Sequence, residues 1–149
     1  MVTRRDCVVA LIAVGLTATV AWAAQAPAKA LLPSSVFDWT KLKVTGTKVG
    51  ERRALFDAPT VTLDRLECHA TTVNPGESPH APHKHPEEEL MIVKDGTVEV
   101  MQNGATTVVG PGSVIFQASN DMHGLKNVGD KPASYIVLKW YTPAVPKAE

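Results

Sequence analysis

Residues 83–96 read HKHPEEELMIVKDG. His83, His85 and Glu89 in this stretch share odd parity, so on extended chain their side chains project to one side of a sheet. A fourth candidate, His123, lies far downstream on a separate segment. Three imidazoles and one carboxylate suit a divalent transition metal. The sequence therefore predicts a metal site at these four residues.

The surrounding chain consists of short β-segments separated by turn residues, without sustained helical periodicity. The predicted strands are Thr60–Val73, Glu89–Lys94, Thr97–Gln102, Thr106–Val109, Ser113–Phe116, His123–Asn127 and Ser134–Trp140. Tight-turn pairs, Asp95-Gly96 and Asn103-Gly104, follow two of them. One or two further short strands are expected within residues 41–53. Many short strands at this spacing predict an all-β sandwich or barrel.

Two motifs in this region resemble the paired motifs of the cupin superfamily, small antiparallel β-barrels that often hold a metal ion. The first is matched, with one additional residue before the first histidine, by Gly76, His83, His85, Glu89 and Gly96. The second is matched by Gly112, His123 and Asn127, while Ala118 and Asn120 stand at its usual proline and glycine positions. The resemblance implies an all-β, single-domain cupin-like antiparallel β-barrel, or jelly roll.

The predicted ligand set is compatible with one divalent ion of Mn, Fe, Zn, Ni or Cu, and leaves an open position for water or a substrate oxygen. The sequence has no second carboxylate–histidine pair that would identify a general base. The candidate catalytic residues are Glu89, Tyr135 and Gln117. Two other histidines, His69 and His80, fit no ligand position and are expected on a strand face and in a loop.

Two functions remain open from the sequence. The first is a metal-dependent enzyme on a small polar molecule, working by oxygenation, lyase or isomerase chemistry, or hydrolysis. Residues 79–100 are also similar to manganese cupins that release ammonia from ureidoglycine, although many small cupins share that similarity. The second is a non-catalytic module that binds a small ligand or a metal. A complete set of metal ligands favours the enzyme.

Residues 1–26 have the pattern of a signal peptide. Arg4 and Arg5 form a basic start, residues 8–22 are apolar and small, and two small-x-small cleavage sites follow. About 15 apolar residues are short for a membrane helix, which needs about 20. The sequence therefore predicts a periplasmic or secreted protein without membrane attachment after cleavage. The arginine pair suggests the twin-arginine type of signal.

The predicted organisation has four parts: a signal peptide at 1–26, an N-terminal extension packing on the barrel at 27–58, the barrel at 59–141, and a C-terminal tail at 142–149. Cleavage leaves Cys68 as the one cysteine, expected to be a buried apolar residue. It also leaves 13 of 15 basic and 14 of 15 acidic residues. This near-neutral charge argues against nucleic-acid binding. The resemblance further implies that a homodimer is a possible assembly.

The export prediction can be tested by changing Arg4 and Arg5 together to Lys. The variant keeps the positive charge but removes the arginine pair that twin-arginine recognition requires. We expect the double variant to accumulate in the cytoplasm, as measured by cell fractionation and immunoblotting. A control variant, Lys29→Arg, lies beyond the predicted signal and is expected to leave export unchanged. Normal export of the double variant would instead favour the general secretory route.

Overall fold

The computed structural model describes residues 29–142. One short 3-10 helix, Trp39–Lys41, precedes nine strands. The strands are β1 Val44–Thr47, β2 Gly50–Ala58, β3 Arg65–Val73, β4 Glu88–Asp95, β5 Val98–Gln102, β6 Ala105–Val109, β7 Val114–Gln117, β8 His123–Asn127 and β9 Ala133–Tyr141. The predicted signal peptide and nearly all of the predicted tail lie outside the described residues. No helix within residues 29–142 is long and apolar enough to span a membrane.

The strands form two antiparallel sheets that enclose the core. The larger sheet has the order β1-β2-β3-β9-β4-β7, and the smaller has the order β6-β5-β8. Val98, Val100 and Leu125 of the smaller sheet pack against apolar residues of the larger one. From the larger sheet the core receives Val73, Met91, Val93, Ile115, Ala133, Tyr135 and Val137. The predicted all-β jelly-roll architecture is confirmed.

The two predicted tight turns have different roles. Asn103 and Gly104 both have positive φ and connect β5 to β6 as a two-residue hairpin, as the Asn-Gly pair predicts. Asp95-Gly96 ends β4, but the chain then crosses to the other sheet. It cannot form a hairpin with β5 because both edges of β4 are already paired, with β7 and β9. At Gly96 (φ 82°) an added Cβ would lie 2.6 Å from the Ala133 Cα atom, so the crossing requires glycine.

The segment assigned to an N-terminal extension contributes more than a packing arm. Its second half forms β1 and β2, and β2 pairs with β3 along its length. Its first half lies over the sheet: Phe37 packs on Phe56 with ring centroids 5.3 Å apart. The Trp39 ring lies between the Arg53 guanidinium and the Lys94 ammonium, each 4.9 Å from the ring centroid. Cation–π contacts from β2 and β4 thus hold the arm in place.

The predicted strand Thr60–Val73 begins five residues too early. Residues 60–63 instead form a turn, in which the Thr60 amide donates to the Leu63 carbonyl at 2.9 Å. The Leu63 amide donates in return to the Thr60 hydroxyl at 3.0 Å. The β-branched residues in this segment favoured a strand, but the threonine hydroxyl satisfies the backbone locally and competes with sheet pairing.

Asn127, the last residue of the second motif, is fully buried and fastens three backbone segments. Its side-chain amide donates to the carbonyls of Val73 and Lys131, each at 2.8 Å. Its side-chain oxygen accepts from the Gly129 amide at 2.9 Å. The side chain therefore satisfies the buried Val73 carbonyl and two partly buried backbone groups.

We expect Asn127→Ala to lower the free energy of unfolding by about 2–4 kcal/mol, because the buried Val73 carbonyl and two partly buried backbone groups lose their partner. Asn127→Asp should be at least as destabilising, since a carboxylate cannot donate to the carbonyls of Val73 and Lys131. Urea unfolding followed by circular dichroism measures both. The exposed Asn74 serves as the control, and Asn74→Ala should stay within about 0.5 kcal/mol of the parent. Equal effects of Asn74→Ala and Asn127→Ala would contradict the role of the buried amide.

Candidate metal centre

The two segments that carry the histidines are joined through their backbones. His83 and His123 form an isolated antiparallel bridge, in which each amide donates to the other's carbonyl at 2.9 Å. Next to it, the Asn120 amide donates to the His85 carbonyl at 2.8 Å. The Ser119 hydroxyl donates to the Pro86 carbonyl at 2.7 Å. Four hydrogen bonds therefore fix the position of one histidine segment relative to the other.

The turn before His123 departs from the usual motif in sequence, yet keeps its geometry. Asn120 occupies the glycine position and has a φ of 61°, in the left-handed region. Asparagine tolerates this region better than other residues with a side chain. The exchange therefore leaves the turn conformation available, and His123 still reaches the bridge to His83.

The structure brings the three predicted imidazole ligands together. One nitrogen from each of His83, His85 and His123 lies within 4.8 Å of the others. The ring centroids are 4.7 Å apart for His83 and His123, and 4.8 Å apart for His85 and His123. Mutual distances of this size allow three nitrogens to reach one ion.

Two of the rings are held in the orientation that a metal ligand needs. The Nδ1 atom of His85 lies 2.9 Å from the Glu87 carbonyl, and that of His123 lies 2.8 Å from the Asp121 carbonyl. Because a carbonyl only accepts, each Nδ1 carries the proton and each Nε2 presents a lone pair. Both Nε2 atoms are buried and have no hydrogen-bond partner among the described residues. Buried acceptors oriented by a carbonyl behind them fit a metal ion.

His83 completes the group with a neutral ring. Burial, followed by the neighbouring His80 and His123, lowers the pKa of His83 to about 4. The ring therefore has a free lone pair at neutral pH, as metal binding requires. His80 packs on it edge-on, with ring centroids 4.3 Å apart, and is itself exposed in a loop.

Glu89, the predicted carboxylate ligand, lies beside the imidazoles. The residue is 8% exposed, and one carboxylate oxygen is 3.6 Å from His85 Nε2. The compact group of nitrogens consists of the three histidines, with Glu89 adjacent on β4. Coordination by all four residues remains a prediction. The neighbouring Glu88 turns to the other face of the sheet and accepts from the Trp140 indole at 2.8 Å.

A cavity of about 400 Å³ opens next to these residues. On one side it is lined by His83, Glu89 and His123. Apolar walls come from Met91, Leu125 and Val137. A polar wall on the larger sheet is formed by Arg52, Glu67, His69 and Lys139. A cavity of this size and mixed character is typical of a small-molecule site.

The remaining candidate catalytic residues have distinct places. Tyr135 lines the cavity and is buried, and burial raises the pKa of its hydroxyl. Gln117 is 1% exposed and lies opposite Glu89 in the β4–β7 register. Its side-chain oxygen accepts from Gln102 at 2.8 Å, while its buried Nε2 has no partner among the described residues. Gln117 therefore has a donor available within the barrel.

The polar wall of the cavity was not predicted from the sequence. His69 was expected on a strand face, but this face of β3 proves to be the cavity wall. Burial, and then the nearby Arg52, lower the pKa of His69 to about 4. The available signal was parity, since Glu67 and His69 alternate with Cys68, which faces the opposite side of the sheet. Burial raises the pKa of Cys68 to about 11, so this thiol is unreactive at neutral pH.

Comparisons with known proteins support the same architecture. Residues 69–139 match the family model described as "Cupin domain". No curated protein matches the chain.

Three solved structures show a similar fold. An RmlC-like cupin from Shewanella frigidimarina has 15% sequence identity and a TM-score of 0.61, covering 75% of this chain and 95% of the other. The polyketide cyclase RemF from Streptomyces resistomycificus has 24% identity and a TM-score of 0.61, covering 78% and 87%. A predicted oxalate decarboxylase from Thermotoga maritima has 18% identity and a TM-score of 0.59, covering 72% and 99%. At these identities the likeness establishes the fold.

Metal analysis of histidine variants tests the centre. We expect His83→Ala and His123→Ala each to weaken binding of a divalent ion by more than about 100-fold, because losing an outer-shell partner alone costs about 10–100-fold. Calorimetric titration with Zn²⁺ and elemental analysis after dialysis measure the loss.

His80→Ala is the matched control, because it removes an imidazole next to His83 but outside the group of three. We expect it to keep the metal content of the parent. If the variants at His83 and His123 also keep it, the ion binds elsewhere.

Proposed function

Because the chain belongs to the cupin superfamily, we propose that it is a metal-dependent cupin enzyme whose substrate is a small molecule bound in the cavity. The observation that carries this proposal is that two imidazole nitrogens of the group are buried without a hydrogen-bond partner among the described residues. Both are Nε2 atoms, and each is oriented by a backbone carbonyl behind the ring. Leaving such acceptors unsatisfied is costly, so an ion is the expected partner.

His83, His85 and His123 would hold the ion, with Glu89 as the fourth ligand. A divalent ion there would supply Lewis-acid polarisation of a substrate oxygen. The donor set accommodates Mn, Fe, Zn, Ni or Cu and does not select among them.

The residues around the ion have roles that follow from their positions. Met91, Leu125 and Val137 give the cavity apolar walls, which exclude water from one side of a bound molecule and strengthen polar interactions there. Tyr135 keeps its proton at neutral pH, since burial raises its pKa, and can donate a hydrogen bond to the substrate. Gln117 has a free amide donor and lies opposite Glu89, where it can orient the carboxylate.

Two features favour an enzyme over a module that only binds. The centre is open to a cavity of about 400 Å³ instead of being closed by further ligands, as structural metal sites are. Proteins of similar fold are named as a polyketide cyclase and a predicted oxalate decarboxylase. Their reactions differ, and the reaction class of this chain stays open among oxygenation, lyase or isomerase chemistry, and hydrolysis.

We propose further that the enzyme works outside the cytoplasm. The support is the basic, apolar and small-residue pattern of residues 1–26. Such an enzyme must retain its metal in the periplasm or the medium. Backbone hydrogen bonds that hold the histidine segments, together with the burial of Glu89 and His123, serve this requirement.

Reconstitution tests the proposal. Protein stripped with a chelator is loaded separately with Mn, Fe, Zn, Ni and Cu, then incubated with a panel of small carbonyl compounds and amines. Oxygen uptake and proton NMR of the mixture follow the reaction. We expect turnover with at least one metal, and background rates for the stripped protein and for His123→Ala.

Asn74→Ala, an exposed change outside the cavity lining, is the control and is expected to retain turnover. If the protein loads metal stoichiometrically but converts no compound in the panel, the binding module becomes the better description. If it loads none of the five metals, the proposed centre itself is wrong.

A further inference from the structure

The polar wall of the cavity contains a lysine, Lys139, that forms no ion pair among the described residues. Lys139 lies on β9, where the register places it between Glu67 of β3 and Glu89 of β4. All three side chains line the same cavity. Despite these neighbours, no carboxylate oxygen within residues 29–142 comes within 4.0 Å of the ammonium.

Glu67 is engaged by other partners. Its two oxygens lie 3.0 Å from the Arg52 guanidinium and 3.4 Å from that of Arg65. His69 Nδ1 is a further 3.2 Å contact. The carboxylate is only 12% exposed, so little of it remains for Lys139. The sheet thus satisfies Glu67 without the lysine.

The Glu89 carboxylate lies near the histidine group. It lies 3.6 Å from His85 Nε2 and is the proposed fourth metal ligand. With Arg52 balancing Glu67, the formal charges left in the cavity are Lys139 and Glu89. A divalent ion on Glu89 and the histidines would then leave the cavity positive, which favours an anion as its occupant.

The ammonium lies within electrostatic reach of both ends of the cavity. It is among the charges that lower the pKa of His69, after burial and Arg52. It also acts on His83, after burial and the neighbouring imidazoles. Lys139 therefore acts electrostatically on both His69 of the polar wall and His83 of the histidine group.

We infer that Lys139 binds the carboxylate of a small organic anion whose apolar body packs on Met91, Leu125 and Val137. This inference rests on the proposed function, because it places the substrate in the same cavity and makes it a carboxylate. The lysine ammonium is a point charge with three hydrogen-bond donors, which can pair with a carboxylate. The apolar walls and the volume of about 400 Å³ leave ample room for an apolar body of at least one aromatic ring.

Benzoate and benzamide test the inference, since they match in shape and differ in charge. Dissociation constants are measured from shifts of the Leu125 and Val137 amide signals in ¹H–¹⁵N spectra, with and without Zn²⁺. We expect benzoate to bind at least about tenfold tighter than benzamide, as a charge-assisted hydrogen bond predicts. Lys139→Met should remove this preference, and Lys139→Arg should keep most of it.

The exposed Lys131 gives the control: Lys131→Met removes the same charge from the surface and should leave the preference unchanged. A parent protein without a preference for benzoate, or a preference that survives in Lys139→Met, overturns the inference. Metal content is determined on the same samples. Failure to load Zn²⁺ contradicts the proposed metal centre, whereas the comparison of benzoate with benzamide still decides the role of Lys139.

Discussion

The paired hydrogen bonds between His83 and His123 are the constraint on which the site depends. They join a segment that belongs to neither sheet to β8 of the smaller sheet. Because the bonds run between backbones, they set the two histidines side by side whatever the side chains do. The Asn120 amide and the Ser119 hydroxyl add a second attachment to the same segment. Once this segment is fixed, carbonyls at Glu87 and Asp121 orient the rings.

Much of this arrangement could be predicted from the sequence, because it depends on local chemistry. Parity and spacing identified His83 and His85, and the Asn-Gly pair identified the β5–β6 hairpin, because both signals depend on residues close together in the chain. His123, on a distant segment, was identified through the resemblance to the second motif. The strand boundary at Thr60 was missed because a hydroxyl satisfied the backbone in place of a neighbouring strand. The paired length of β2 could not be predicted, since it is set by cross-strand pairing with β3 and not by the residues of β2 alone.

The site shows the same division. Its imidazole group was predictable, whereas the cavity wall was not, because which face of β3 meets the cavity depends on how the two sheets pack. His69 looked like an ordinary strand residue in isolation. It gains its significance from Glu67, Arg52 and Lys139, which reach it from three different strands. Sequence spacing can reveal a ligand set within one segment, but not a surface assembled across a sheet.

This separation has a consequence for how the protein can diversify. The imidazoles are held by backbone bonds near β8, while the polar wall consists of side chains on β2, β3 and β9. A lineage can therefore exchange wall residues one at a time without disturbing the loops that hold the histidines. Retention of the metal-binding histidines and change of the bound compound are then nearly independent. Among related proteins with this scaffold, the identities of the wall residues would then follow the bound compound more closely than common descent.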